Sequence, residues 1–355
     1  MQAEKGIVIV DKGITSDSRG GEIMIQEIGS EFHKVSPDSG HGFSYPLPGS
    51  LVFSGRTAIE TVLKEITWAK KAILPSYCCY SMIQPFRNAG IEVEFYPVYF
   101  ENRLKIELNI PENTDIILWC NYFGFTVPMP DLSEFRGVII EDITHSLFSE
   151  YCYHTQSHYL VASLRKWEPI NCGGYCSTVN GEIHYEPTIP PPQEYVRLKT
   201  AAMELKKEYL LDLDKEKKTR FLSMFEESNL WLAENYSGLS IDPWSKEYLS
   251  TVDAEEQRQI RRRNAKVLYE GLEKKAQFLF PIEDMDCPLF VPVLSHNRNG
   301  ARKVLTFNQI YCPVHWPRPD GCDSNLYEQE LSIICDQRYN EEDMERIVSV
   351  LKLLL

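Results

Sequence analysis

The chain has 355 residues, too many for one small core and enough for a large domain with a smaller lobe. Its 43% hydrophobic and 25% charged residues are those of a globular protein and exclude a disordered or fibrous chain. With 37 Lys and Arg against 51 Asp and Glu the net charge is −14, which argues against nucleic acid or anionic membranes as partners. An anionic small ligand stays open, because backbone N–H groups and one or two arginines can hold it locally.

The N-terminal residues are polar and rich in Gly and Ser, and they predict an arm over 1–45. The opening MQAEKGIVIVDKG carries no secretory signal. Ten scattered cysteines then read as reduced, mostly buried thiols, and the expected location is the cytoplasm. Cys172 and Cys176 have no second Cys/His pair at finger-like spacing, so no metal is expected. No apolar run approaches membrane-spanning length.

From Pro46 the pattern sharpens. Ser50 to Phe53 reads as a strand, followed by Ser54-Gly55-Arg56-Thr57 and a helix with Ile59, Val62, Leu63 and Ile66 on one face. Ser54 is the expected N-cap. Short apolar runs follow at 72–74, 91–95, 116–119, 138–140, 159–162 and 175–179, separated by helical or loop segments. This alternation predicts a mostly parallel sheet covered on both faces. A charged helical region over 197–235 closes a large domain at 46–235. The remaining 236–355 mixes helix and strand as a small α+β domain, with a helix at 257–274, a strand at 288–294 and a last helix starting near Asn340. On that helix Met344, Ile347, Val348 and Leu351 share one face.

Ligands of an open parallel sheet gather beyond the C-terminal strand ends. Three segments fall there. Ser54 to Thr57 offers a helix N-terminus and a glycine for close backbone approach, a cup for phosphate. Glu141-Asp142-Ile143-Thr144-His145 follows a strand, and a carboxylate so placed can hold a proton on a pyridinium nitrogen or simply cap the next helix. Ser163-Leu164-Arg165-Lys166 follows the next strand, and a lysine buried there can lose its proton and form a Schiff base.

Together these residues resemble the DegT/StrS-type aminotransferases among the fold-type-I pyridoxal-phosphate (PLP) enzymes. The likeness covers most of the chain: Gly55 to Ala58, Pro75 to Tyr80, Glu141 to Ser146, Ser163 to Lys166 with Gly173-Gly174 beyond it, Pro313 to Pro317, and Leu331 to Asp343. The resemblance implies the PLP-dependent transferase fold type I, an α/β large domain with a smaller C-terminal α+β domain. It implies a homodimer with active sites at the interface. It implies transfer of an amino group from a donor such as glutamate to a small carbonyl acceptor, a nucleotide-linked keto-sugar among the candidates.

The roles it implies are these. Lys166 carries the cofactor and moves protons. Asp142 pairs with the pyridinium nitrogen, and His145 sits near the ring. Gly55, Arg56, Thr57 and Ser163 hold the phosphate, and Tyr80 or Tyr77 stacks on the ring. His315-Trp316 either lines the substrate mouth or packs the small lobe. The sequence also departs from the family. Cys79 stands where the stacking aromatic is expected, the serine-to-lysine spacing is three residues, and the Gly-Tyr-Asn-Tyr-Arg stretch after the double glycine is missing. Two other functions stay open: a non-catalytic or regulatory PLP-binding protein, and a PLP-dependent sugar dehydratase. In the dehydratases a histidine replaces the lysine, so Lys166 disfavours that alternative.

Overall fold

The computed structural model describes residues 26–36, 40, 42–43 and 45–354, together with the backbone of Ile14–Ser16 and Glu22–Met24. Much of the expected arm over 1–45, including its opening stretch, lies outside the described residues. Strands β1 (Ile14–Ser16) and β2 (Glu22–Met24) pair antiparallel, and a short β3 (Ile28–Gly29) follows.

The main sheet is assembled next. Its strands are β4 (Ser50–Val52), β5 (Lys71–Pro75), β6 (Glu92–Tyr96), and, after the hairpin β7 (Val98–Glu101) and β8 (Arg103–Ile106), β9 (Ile116–Cys120), β10 (Val138–Asp142), β11 (Tyr159–Ser163) and β12 (Gly174–Thr178). The spatial order is β4-β12-β11-β10-β9-β5-β6. The five strands from β11 to β6 run parallel, and β12 and β4 are antiparallel to their neighbours. Each apolar run named from sequence overlaps one of these strands, with Phe53, Ile91 and Val179 just outside the strand ends. In β9 all five residues are buried, as a strand covered on both faces requires. Helix α1 (Gly55–Glu65) packs Ala58, Ile59, Val62 and Leu63 into this core, beside Ile73, Ile117, Ile140 and Val161. Helix α2 (Tyr80–Asn88) adds Met82, Ile83 and Phe86.

The stretch expected as one helical region over 197–235 is two helices, α3 (Gln193–Asp212) and α4 (Lys215–Glu234), packed on each other. The break has a local cause. Leu213 adopts a left-handed conformation (φ 53°), and the Asp214 carboxylate accepts the Glu216 N–H to cap the second helix.

After α5 (Pro243–Leu249) and α6 (Ala254–Leu272), the strands β13 (Gln277–Phe278), β14 (Val291–Leu294) and a later β16 (Glu330–Ile333) form an antiparallel sheet. Between them lie α7 (Arg298–Phe307), β15 (Ile310–Tyr311) and α8 (Leu326–Gln329). The last helix, α9 (Glu341–Leu351), starts in a capping box formed by Asn340 and Asp343 and buries Met344, Ile347, Val348 and Leu351. Leu268, Val293, Leu305, Ile333 and Ile347 make a second hydrophobic core. Ile28 belongs to this core, because β3 pairs parallel with β15. All ten cysteines are free, and no group of three or more His, Cys, Asp or Glu side chains is placed to hold a metal among the described residues. No helix among the described residues is long and apolar enough to cross a membrane.

Candidate active site

The C-terminal ends of β10 and β11, the N-terminus of α1 and the turn before α2 surround a cavity of about 340 Å3. Gly55, Arg56, Asp142, His145, Ser163 and Lys166 line it together. Asp142 ends β10, Ser163 ends the adjacent β11, and Lys166 closes a single 3-10 turn, Leu164–Lys166.

Thr144 ties these ends to one another. Its N–H donates to Asp142 Oδ1 (2.8 Å), its hydroxyl oxygen accepts the Ser163 N–H (2.9 Å), and its carbonyl accepts the Trp167 indole N–H (2.6 Å). The Arg261 guanidinium then lies 4.5 Å above the Trp167 ring, so α6 braces the residue next to Lys166. The acidic motif contained Thr144, and Trp167 lies one residue beyond the lysine motif, but neither gave a sign of these contacts.

The phosphate cup is shaped by glycine. Ser54 caps α1, accepting the Thr57 N–H, and the first turn of α1 carries no acidic residue. A Cβ on Gly55 would lie 3.1 Å from the Ser163 Cβ, and one on Gly174 would lie 2.2 Å from the Ser54 carbonyl oxygen. The double glycine therefore lets β12 pass against the cap. Arg56 reaches the cavity wall and is steadied by the Gln84 amide oxygen (2.8 Å).

Electrostatics follow from burial. Lys166, expected to be buried, instead projects from the 3-10 turn into the open cavity with its side chain exposed, and the protein walls around it still desolvate the ammonium enough to lower its pKa. Arg165 and Arg56 push the same way, while Cys79 and Glu31 oppose them. Burial raises the Asp142 pKa against the Thr144 hydrogen bonds, and the neighbouring Lys166 pulls it back. His145 is held neutral, with its pKa depressed to about 3 first by burial and then by Lys166. Its Nδ1 accepts the Phe123 N–H (3.0 Å), which assigns the ring proton to Nε2. Phe123 presents that N–H from a left-handed conformation (φ 58°), followed by Gly124 (φ 105°). Trp316 also lines the cavity and stacks on the His145 ring at 5.7 Å and 28°.

Three residues expected at the site stand elsewhere. Thr57 is fully buried, its hydroxyl donating to the Tyr236 carbonyl (2.9 Å). Tyr77 is fully buried, donates to the His315 carbonyl (2.6 Å) and packs on Tyr122, Trp316 and Tyr327, behind the cavity wall. Tyr80 opens α2 and is 49% exposed, outside the lining. Cys79, the α2 N-cap, faces the cavity instead. Arg165, Glu31, Asn229 and Trp316 also line the cavity. Sequence reasoning gave Arg165, Glu31 and Asn229 no role.

No protein-family model matches the sequence, and no curated protein matches it. Solved structures do resemble the fold. Spr1654 of Streptococcus pneumoniae in its apo form superposes with a TM-score of 0.61 at 14% identity, over 92% of each chain. A DegT/DnrJ/EryC1/StrS aminotransferase from Brucella abortus gives 0.57 at 13% identity, over 87% of this chain and 86% of that one. The sugar aminotransferase CalS13 from Micromonospora echinospora gives 0.56 at 12%, over 86% and 87%. At these identities the likeness establishes the fold, that of the DegT/DnrJ/EryC1/StrS aminotransferases.

The residues present fit PLP, the cofactor expected from the sequence. A helix N-terminus cleared by glycine suits its phosphate. A buried carboxyl with a raised pKa suits a cationic ring nitrogen, which would restore its ionised form. A lysine that opens onto the cavity and is made less basic suits attack on its aldehyde.

Proposed function

We propose that this protein is a PLP-dependent aminotransferase that moves an amino group from an amino-acid donor to a small carbonyl acceptor. The observation that carries this reading is the convergence of Lys166, Asp142 and the α1 N-terminus with Arg56 on one cavity. Bound PLP supplies an electron sink for the carbon that exchanges its amino group.

The chain's own residues do the rest. Backbone N–H groups at the start of α1, with Arg56 and Ser163, hold the phosphate. Asp142 keeps a proton on the ring nitrogen. Lys166, unprotonated more readily than a surface lysine, is the group that takes and returns a proton at the reacting carbon. His145 stays neutral and keeps its Nε2–H available as a donor. Trp316 shields that ring from water. CalS13 is a sugar aminotransferase, which supports a sugar-like carbonyl compound as the acceptor. A homodimer belongs to the same reading, and sedimentation of the purified protein tests it.

The test of the chemistry is the visible absorption of the protein with PLP, before and after glutamate, in the wild type and in Lys166→Ala. We expect a yellow lysine-dependent band that glutamate bleaches. A wild-type protein that takes up no PLP would overturn the assignment of Lys166. A band that no amino acid bleaches would favour the non-catalytic alternative.

A further inference from the structure

Three charged side chains near Lys166 have no task in the reading above. Arg165 lines both the main cavity and an adjoining space of about 30 Å3, and its buried Nε finds no hydrogen-bond partner among the described residues. Lys199, on α3, lines the same small space. Its side chain is 6% exposed, and its ammonium lies 4.4 Å over the Phe225 ring and 4.0 Å from Glu31 Oε2. Glu31 borders both spaces, with 42% of its side chain exposed.

The main chain of Glu31 is fixed while its carboxylate is not. Gly29 (φ 91°) and Ser30 (φ 64°) turn the chain through two left-handed residues, and a Cβ on Gly29 would lie 2.3 Å from the Tyr311 carbonyl oxygen. The Gly29 N–H donates to the Tyr339 hydroxyl (2.7 Å), Lys206 Nζ donates to the Gly29 carbonyl (3.2 Å), and Arg338 Nη1 donates to the Glu31 carbonyl (3.1 Å). The carboxylate itself has the 4.0 Å ion pair with Lys199 and a 3.4 Å hydrogen bond from the Asn229 amide. Both contacts are at the long limit of useful geometry. The cations around it still keep it ionised: burial opposes this, but Lys199, Arg165, Lys166 and Lys206 together hold its pKa down. A rigid strap thus carries a loosely held anion to two incompletely paired cations.

We propose that Arg165 and Lys199 form a subsite for a ligand carboxylate, and that Glu31 fills it as the chain's own stand-in until the ligand displaces it. Rotation of the Glu31 side chain vacates the space of one carboxylate and joins the small space to the main cavity. The place Glu31 leaves is that of a planar carboxylate, so a carboxylate is the ligand proposed for it. Assigning the incoming carboxylate to the amino-acid donor rests on the aminotransferase reading. The subsite itself does not.

The test is calorimetric titration of glutarate at fixed ionic strength, with and without PLP, into the wild type, Lys199→Gln and Glu31→Gln. Glutarate has neither an amino nor a carbonyl group, so its binding is read independently of amino transfer. We expect Lys199→Gln to weaken glutarate roughly tenfold, as loss of a charged partner does. We expect Glu31→Gln to tighten it about fivefold or more, because the competing carboxylate is gone. Unchanged or weaker binding in Glu31→Gln overturns the proposal, as does binding that Lys199→Gln leaves intact. Sulfate that gains as much as glutarate in Glu31→Gln overturns the assignment to carboxylates. Failure of the PLP spectrum with the glutarate pattern intact removes the aminotransferase reading and leaves the subsite standing.

Discussion

His145 is neutral in the folded protein at any working pH, and this has a thermodynamic consequence. Its folded pKa of about 3 lies below the unfolded value near 6.5. The associated stability is therefore fully present above pH 6.5 and is lost as pH falls toward 3. Each pH unit in that window costs about 1.4 kcal/mol. Between pH 7 and pH 5 the wild type should lose about 2 kcal/mol more than His145→Gln, measured by denaturant unfolding. Equal losses would mean that His145 is protonated when folded. At this scale the sequence was legible where chain order decides position. Asp142 and Lys166 follow neighbouring parallel strands, so the topology brings both to one cleft. The direction of a side chain at a turn was not legible. Tyr80 leaves the first turn of α2 toward solvent and Tyr77 is pinned to the His315 carbonyl, so Cys79 takes the wall between them. Glu31 and Lys199 meet only through tertiary packing, which no local pattern encodes.

At the scale of elements, α1 carries the phosphate cup, and its cap and its clearance can be tested separately. Ser54→Ala removes the acceptor for the Thr57 N–H and should cost about 1 kcal/mol while weakening PLP binding. Gly174→Ala places a Cβ 2.2 Å from the Ser54 carbonyl oxygen, so backbone must shift. We expect a loss of about 1–3 kcal/mol and a larger loss of PLP affinity than in Ser54→Ala, followed by thermal unfolding and PLP fluorescence titration. Unchanged affinity in Gly174→Ala would show that β12 does not shape the cup. Strands β5, β9 and β11 were readable because each is a short, largely buried apolar run between turn residues. The α3/α4 break was not, because a leucine occupies the left-handed position where glycine would have announced it.

At the scale of the whole molecule, residues 27–31 join the α3/α4 helix pair to β15. Glu27 is buried with Lys206 (3.5 Å) and Lys218 (2.7 Å), one on each helix of the α3/α4 pair, and Lys218 also donates to the Tyr311 hydroxyl (2.7 Å). Lys206→Ala leaves Glu27 one partner and removes a donor from the Gly29 carbonyl. The expected loss is about 2 kcal/mol, below that for a buried charge left with none, because Lys218 remains. Chemical denaturation measures it, and a loss under about 0.5 kcal/mol would show that this clamp carries little. The pairing of β3 with β15 sets an order of events during synthesis. Ile28 emerges early, but its partner Ile310 is made nearly three hundred residues later. At about 5–20 residues per second the wait is roughly fifteen seconds to a minute. Until then the strap that brings Glu31 to the cavity lacks its pairing with β15, so this wall of the site cannot be completed before the C-terminal part of the chain is made.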